Sequence, residues 1–352
     1  MKVLILGGTG AMGTHLAKLL VENGCVVYVT SRTQNHSQSK INYIVGNAQN
    51  NTFLEEILKE RWDVIVDFMV YSTATFAGRL SILLDATEQY VYLSSARVYA
   101  NSEVPITEDS PRLLDVTRDT EFLSTDEYAL SKARQENLLL DSNKKRWTII
   151  RPYITYSEKR LQLGVLEKEA WLYRVLHNRP IVFSADINSK TTTLTYGLDV
   201  ARGISAIIGN ESALGEAFHI TNQHSIAWKD VLGIYSNILD RYLGHAPEVT
   251  LQDISKFSKW HSARYQIKYD RLYNRVFDNN KINKFIDTSG FIDATSGLKA
   301  CLEEFLISPV FLNLDWRKEA IKDKQVGVRT SLTEPLTLKQ KIKYLIYRNL
   351  TC

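Results

Sequence analysis

Tyr128 and Lys132 stand four residues apart, a spacing that puts a phenol and an ammonium on one face of a helix. A tyrosine titrates near pH ~10, and a cation alongside favours the phenolate, bringing the group toward acid-base service near neutrality. Taken alone, such a pair is common in any helix. Its weight comes from the upstream run Tyr92-Leu93-Ser94-Ser95-Ala96-Arg97-Val98-Tyr99, which closes an apolar segment. A hydroxyl at the carboxyl end of a strand can hold a carbonyl or alcohol oxygen beside the phenol.

A third feature lies at the start of the chain, in Gly7-Gly8-Thr9-Gly10-Ala11-Met12-Gly13. A pyrophosphate needs backbone N–H groups close by, and residues lacking Cβ let the chain turn tightly and approach it while feeding a helix N-terminus. Placed after the first strand and opening the first helix, the loop is expected to hold NAD(H) or NADP(H) through Gly7, Thr9, Gly10, Ala11, Met12 and Gly13. Phe68, at the end of the fourth strand, and Lys132, hydrogen-bonded to the nicotinamide ribose, are expected to complete the contacts. After the second strand the chain reads Thr30-Ser31-Arg32, where an NAD site carries an acidic residue for the ribose hydroxyls. A guanidinium pairs with a 2′-phosphate and a serine hydroxyl can donate to one, so Ser31 and Arg32 favour NADP(H), with NAD(H) as the alternative.

Groups so placed need a scaffold. The apolar run 3–6 ends in glycines, and Leu16, Leu19 and Leu20 recur at helical spacing up to Asn23-Gly24, a stop signal. Residues 26–30, 43–45, 63–68, 90–94 and 147–151 read as further strands, the last stopped by Pro152, with helices at 52–59 and 126–140. The alternation implies an α/β fold of the Rossmann type, a doubly wound parallel sheet, with residues 1–152 as the dinucleotide-binding domain. Beyond Tyr153 the alternation fades into a smaller mixed α/β lobe, residues 153–305, expected to supply substrate contacts. Residues 194–221 are expected to return to the first domain, and 306–352 to form a C-terminal helical extension.

The chain has 352 residues, 44% hydrophobic and 23% charged, with seven prolines, the composition of an ordinary globular protein large enough for two lobes. The apolar run before the glycines is too short for a signal peptide, and nothing approaches membrane-spanning length, so a cytoplasmic location without a membrane span is expected. Cys25, Cys301 and Cys352 lack CxxC spacing and read as reduced thiols. His15, His36, His177, His219, His224, His245 and His261 show no ligand spacing, so no metal is expected. A net charge of +4 does not by itself identify a nucleic-acid binder.

The three motifs in this order resemble the extended branch of the short-chain dehydrogenase/reductase superfamily, the nucleotide-sugar epimerases, dehydratases and reductases. The resemblance covers residues 1–305. Within it Ser94-Ser95-Ala96-Arg97-Val98-Tyr99 is similar to that branch's Ser-Ser-x-x-Val-Tyr-Gly, with Ser95 at the catalytic hydroxyl and Ala100 in place of the glycine. Arg151-Pro152 matches the Arg-Pro after the sixth strand, Asp199-Val200-Ala201-Arg202 a helix start, and Asp278-Asn279-Asn280-Lys281 with Gly290-Phe291 and Gly297-Leu298 the carboxyl-terminal pattern. The resemblance implies Tyr128 as general acid/base, Lys132 as its partner, a nucleotide-linked sugar as substrate and a homodimer as the working form.

The departures carry information too. Dehydratases of the branch place an Asp-Glu pair after the catalytic hydroxyl, and Ala96-Arg97 stands there instead, which argues against dehydration. The similar string Ser124-Thr125-Asp126-Glu127 directly precedes Tyr128 and is expected to cap its helix. Ile154 replaces an asparagine common after Arg-Pro, and Thr192-Thr193 replaces an Arg-Asp near the nucleotide diphosphate, leaving Lys190 or a later basic cluster to supply the cation.

That cluster spans 256–277, where Lys256, Lys259, Arg264, Lys268, Arg271 and Arg275 face one acid, Asp270, among Phe257, Trp260, Tyr265, Tyr269 and Tyr273. An amphipathic helix with a solvated basic face, a nucleotide-diphosphate pocket and a single-stranded nucleic-acid surface all use this composition. The pocket is favoured over nucleic acid because of its place in the second lobe. In the extension, Leu338, Ile342, Leu345 and Ile346 form an apolar stripe with lysines facing away, suited to packing on the protein's own surface, to a dimer or to an anionic membrane, with the first as the default. The expected function is an NADP(H)-preferring sugar reductase or epimerase; the alternative is a non-catalytic nucleotide-gated or RNA-associated module.

Overall fold

The computed structural model describes residues 1–33, 40–335 and 337–349. His36 and Cys352 lie outside the described residues. The chain divides into two compact units, the first built from Met1–Ser157, Thr193–Ser225 and Arg275–Ala294.

This first unit is a seven-stranded sheet of β1 (Lys2–Leu6), β2 (Val26–Ser31), β3 (Ile41–Val45), β4 (Trp62–Asp67), β5 (Thr87–Leu93), β6 (Trp147–Pro152) and β7 (Glu216–Ile220). The order is β7-β6-β5-β4-β1-β2-β3 with every pairing parallel, and Ile5 sits between Val29 and Val66. Parallel strands need crossovers, supplied by α1 (Gly13–Glu22), α2 (Asn51–Ile57), α3 (Thr73–Asp85), α4 (Tyr128–Leu140) and α5 (Gly197–Ile207). Because side chains alternate along a strand, Val3 and Ile5 pack with Leu16 and Leu20 of α1 and Val200, Ile204 and Ile207 of α5. Leu4 and Leu6 go to the other face, with Leu54 of α2, Phe76 and Leu83 of α3 and Leu139 of α4. Both faces are covered, which is why the strands read as continuous apolar runs.

Residues 275–294 also belong to this unit, although the sequence signals only 194–221 as returning. The anchor is polar and buried: the Asn279 amide donates to the Thr221 carbonyl at 2.7 Å and accepts from the Thr221 hydroxyl at 2.9 Å.

The second unit comprises Glu158–Thr192, Ile226–Asn274 and Thr295–Cys352. A short parallel pair joins Ile181–Ser184 to Val249–Gln252, among the helices Lys168–Val175, Trp228–Leu243, Trp316–Val326 and Leu338–Asn349. Arg174 is fully buried and donates to Glu319 and Asp323 at 2.8 Å each, tying the helix Trp316–Val326 to Lys168–Val175. No helix among the described residues is long and apolar enough to cross a membrane.

Two expectations change here. The basic aromatic stretch is not one amphipathic helix: a turn at Ile254–Phe257 is separated by irregular chain from a turn at Arg264–Gln266, which runs directly into a π turn at Ile267–Arg271. Phe257 and Trp260 are buried, Arg271 is buried against the Gly164 carbonyl and Asp270, and Arg275 donates to the Tyr99 and Ala100 carbonyls. These arginines satisfy carbonyls elsewhere in the chain, at Gly164, Tyr99 and Ala100, so part of the cationic composition is internal. In the terminal helix it is Tyr344, not the aliphatic stripe, that is buried. Its hydroxyl bonds Asp323 and the Thr330 amide, which fixes that face inward.

Candidate active site

The loop between β1 and α1 turns at Gly7, whose φ of +71° lies in the left-handed region, and its amide donates to the Thr30 hydroxyl at 3.0 Å. A Cβ at Gly13 would sit 2.6 Å from Gly8 Cα, so α1 meets the loop only as glycine. Gly10 differs: a Cβ there would meet nothing within 4 Å, and its φ needs no glycine. Neither packing nor backbone strain requires glycine at this position, and the loop backbone is open there to the approach of a ligand. The N-cap residue of α1, Met12, makes no side-chain cap bond, and the first turn carries no acid, so the positive end of this helix is left for an anion. The loop therefore fits a pyrophosphate, with Thr9 and Gly10 exposed and Ala11 and Met12 half-buried. Gly197, at the start of α5, presses on the Ala11 carbonyl so closely that a Cβ would overlap it, a contact across the sequence that no motif announces. We expect Gly10→Ala to keep wild-type thermal stability and lose dinucleotide affinity, and Gly13→Ala to lose both; melting curves and cofactor fluorescence titration measure the pair.

At the end of β2 the Ser31 hydroxyl donates to the Thr33 carbonyl at 2.8 Å and Arg32 is exposed. Any recognition of a 2′-phosphate there would fall mainly to Arg32. Phe68 is half-buried at the end of β4, its amide bonded to the Leu6 carbonyl next to the glycine loop.

The structure brings Tyr128, Lys132 and Ser95 together at the carboxyl end of β5. Lys132 is 2% exposed, donates to the Leu93 carbonyl at 2.6 Å, and lies 5.9 Å from the Tyr128 ring centre and 4.6 Å from that of Tyr92. Ser95 accepts the Arg97 amide at 3.2 Å, and the Arg97 guanidinium stacks 5.2 Å from the Tyr128 ring while pairing with Glu127 at 2.6 Å. Two cations thus flank the half-buried phenol. Glu127 caps α4 by accepting the Ala129 amide at 2.7 Å, and Asp126 takes the Thr73 amide and hydroxyl, so both acids are structural.

Burial pushes the Lys132 ammonium down from the usual 10.5 to about 8, against the pull of Asp67 and Glu136. Between those two values the unfolded chain binds more protons than the folded one, so this lysine's burial cost stands in full below about pH 8 and is relieved as pH rises toward 10.5. The stability of wild type relative to Lys132→Met is expected to rise by on the order of 3 kcal/mol between pH 8 and 10.5. Denaturant midpoints at a series of pH values measure it; a pH-independent difference contradicts the assigned desolvation.

Behind the cluster runs a buried polar chain that the motifs do not reveal. Glu136, one turn beyond Lys132 on α4, accepts the Ser94 hydroxyl at 2.6 Å, Arg151 Nε and Nη2 at 2.9 Å each, and Arg112 at 3.2 Å. Arg151 continues to the Tyr99 hydroxyl at 2.9 Å, which meets His219 Nδ1 at 3.3 Å. Burial holds the His219 imidazole below its ordinary value. Asp67, buried at the end of β4, accepts from Tyr90 and Tyr71 and is pushed above the usual carboxylate range by desolvation. Among the described residues, no group of His, Cys, Asp and Glu is arranged to hold a metal.

The sequence profile of the NAD dependent epimerase/dehydratase family matches residues 3–221. The chain is similar to the chloroplast stem-loop binding protein of 41 kDa b from Arabidopsis thaliana, 27% identical over 248 residues, 64% of this chain and 60% of that protein. It is also similar to a UDP-glucose 4-epimerase from Lactobacillus helveticus, 31% identical over 134 residues, 32% of this chain and 41% of that one. The aligned part thus spans less than two thirds of either relative. Among solved structures, an epimerase from Methanothermobacter thermautotrophicus superimposes with a TM-score of 0.68 at 17% identity, covering 87% of this chain and 92% of the other. A UDP-glucuronic acid 4-epimerase from Bacillus cereus, in complex with UDP-glucuronic acid and NAD, gives 0.66 at 17% identity, covering 87% and 99%. Likeness at such identities is of fold. With the profile spanning glycine loop, Ser95, Tyr128 and Lys132, the chain belongs to the NAD dependent epimerase/dehydratase family.

Proposed function

We infer that this protein is an NADP(H)-preferring oxidoreductase or epimerase acting on a keto or hydroxyl carbon of a nucleotide-linked sugar. The observation that carries it is the convergence of a half-buried tyrosine, a desolvated lysine and a serine at the carboxyl end of β5, in the unit whose glycine loop leaves Gly10 open. When bound, the nicotinamide supplies or accepts the hydride. In reduction Tyr128 gives its phenolic proton to the substrate oxygen as the carbonyl becomes an alcohol; in oxidation it takes that proton back. Lys132 and Arg97 stabilise the phenolate form, and Ser95 positions the oxygen. Ala96 and Arg97 place no carboxylate after Ser95, which supports redox chemistry over dehydration.

The nucleotide-linked sugar draws support from neighbours described as complexes with UDP-glucuronic acid or UDP-glucose and NAD. The preference for NADP(H) rests on Arg32 and tilts the reaction toward net ketone reduction, since an epimerase returns its hydride. Arg32→Glu is expected to weaken NADPH binding about 10–100-fold, the worth of a charge-assisted pair, with little change for NADH. Equal losses for both cofactors would remove the preference.

A second possibility, an RNA-associated member, draws on the stem-loop binding named for the Arabidopsis relative. The burial of Phe257, Trp260 and Arg271 works against a stacking platform in the basic stretch. The discriminating experiment follows NADPH consumption and sugar epimers with a panel of UDP-sugars and their keto forms. Turnover supports the enzyme; retention on a stem-loop RNA without turnover supports the binder.

A further inference from the structure

The helix Leu338–Asn349 docks by its aromatic side. Tyr344 is 2% exposed and meets Trp316 edge-on with ring centres 6.4 Å apart, and Tyr347 lies 4.9 Å under the Arg317 guanidinium. On the opposite side Leu338, Ile342, Leu345 and Ile346 are 72%, 48%, 41% and 42% exposed. At 3.6 residues per turn these four fall on one stripe. Lys339 and Lys343 border it on one side and Lys341 and Arg348 on the other, and the helix itself has no acid; beyond it, Asp315 lies 3.7 Å from Lys343, while on the docked side Asp323 accepts from Tyr344 and Arg348 donates to the Val328 carbonyl.

A single exposed leucine needs no explanation, but four aligned aliphatics left 41–72% exposed on a helix that packs by its tyrosines form a continuous apolar stripe open to solvent. We propose that this face docks on an anionic lipid bilayer surface. The aliphatic side chains enter the boundary between headgroups and acyl chains, while the lysine stems on both borders run along the apolar surface and set their ammonium groups among the headgroup anions. Charge selects this occupant over a second copy of the helix. Pairing two such stripes would bring the cations that border one against those of the other, with no acid within either helix and Asp315 beside Lys343 alone among these cations.

The test sediments the full chain with vesicles of phosphatidylcholine alone and of phosphatidylcholine mixed with phosphatidylserine. Binding to the anionic vesicles should exceed binding to the neutral ones by at least about tenfold and fall as salt is raised. Ile342→Glu with Ile346→Glu should abolish it while thermal unfolding stays as in wild type, because both side chains are exposed. Lys339→Gln with Lys341→Gln, which leaves the stripe intact, should weaken it about fivefold for each charge removed. Equal binding to both vesicles, no binding to either, or unchanged binding by both variants overturns the proposal. So does concentration-dependent dimerisation that the glutamate variant abolishes without any vesicle binding, which would give the face to a second copy.

Discussion

Tyr128→Phe is expected to lower kcat by about 10²–10⁴-fold, the worth of a positioned acid-base group, while leaving dinucleotide affinity unchanged. The phenyl ring keeps the contacts that hold the side chain, with the Arg97 guanidinium at 5.2 Å and the Lys132 ammonium at 5.9 Å, and only the transferable proton is lost. A loss confined to kcat marks an interaction made in the transition state. Raised KM with normal kcat would instead place Tyr128 in substrate binding. The pH profile of the wild type supplies an internal check. Lys132 titrates at about 8, so activity should fall above that pH as the ammonium that supports the phenolate is lost.

The largest effect on stability is expected at Glu136. Its side chain is fully buried and its two oxygens receive the Ser94 hydroxyl and the guanidinium groups of Arg151 and Arg112. Glu136→Gln keeps the volume but leaves buried guanidinium charge uncompensated, a change worth about 3–5 kcal/mol. That is a large part of the ~5–15 kcal/mol that holds a typical domain folded. Urea denaturation should show the midpoint falling accordingly. A change within about 1 kcal/mol, the scale of an exposed pair, would mean that solvent reaches the network. The same substitution should loosen Ser94, and with it the end of β5 that carries Ser95.

Local patterns announce themselves when their cause is local. The strands of the first unit were readable because a sheet covered on both faces demands unbroken apolar runs, such as Val3 to Leu6. The glycine loop and the Tyr128–Lys132 pair were readable because spacing alone sets which groups share a turn or a helix face. What spacing does not encode is the partner reached across the fold. The Glu136–Arg151 pair joins α4 to β6, and Gly197 earns its small size from a carbonyl near the start of the chain. Composition misleads in a similar way: Arg271 and Arg275 count as cations in the sequence, yet both are buried donors to carbonyl groups. The terminal helix reverses the usual inference from amphipathicity, since Tyr344 is buried against Asp323 and Thr330 while the aliphatic stripe stays exposed.

In the proposed reaction a hydride passes between the dinucleotide and a sugar carbon while Tyr128 handles the proton. NADPH carrying deuterium at the transferred position, supplied with a keto-sugar nucleotide, tests it most directly. Deuterium at the former carbonyl carbon of the product, formed with wild type and about 10²–10⁴-fold more slowly with Tyr128→Phe, is the expected result. A protein that binds both ligands by calorimetry yet never moves the label into the sugar would contradict it.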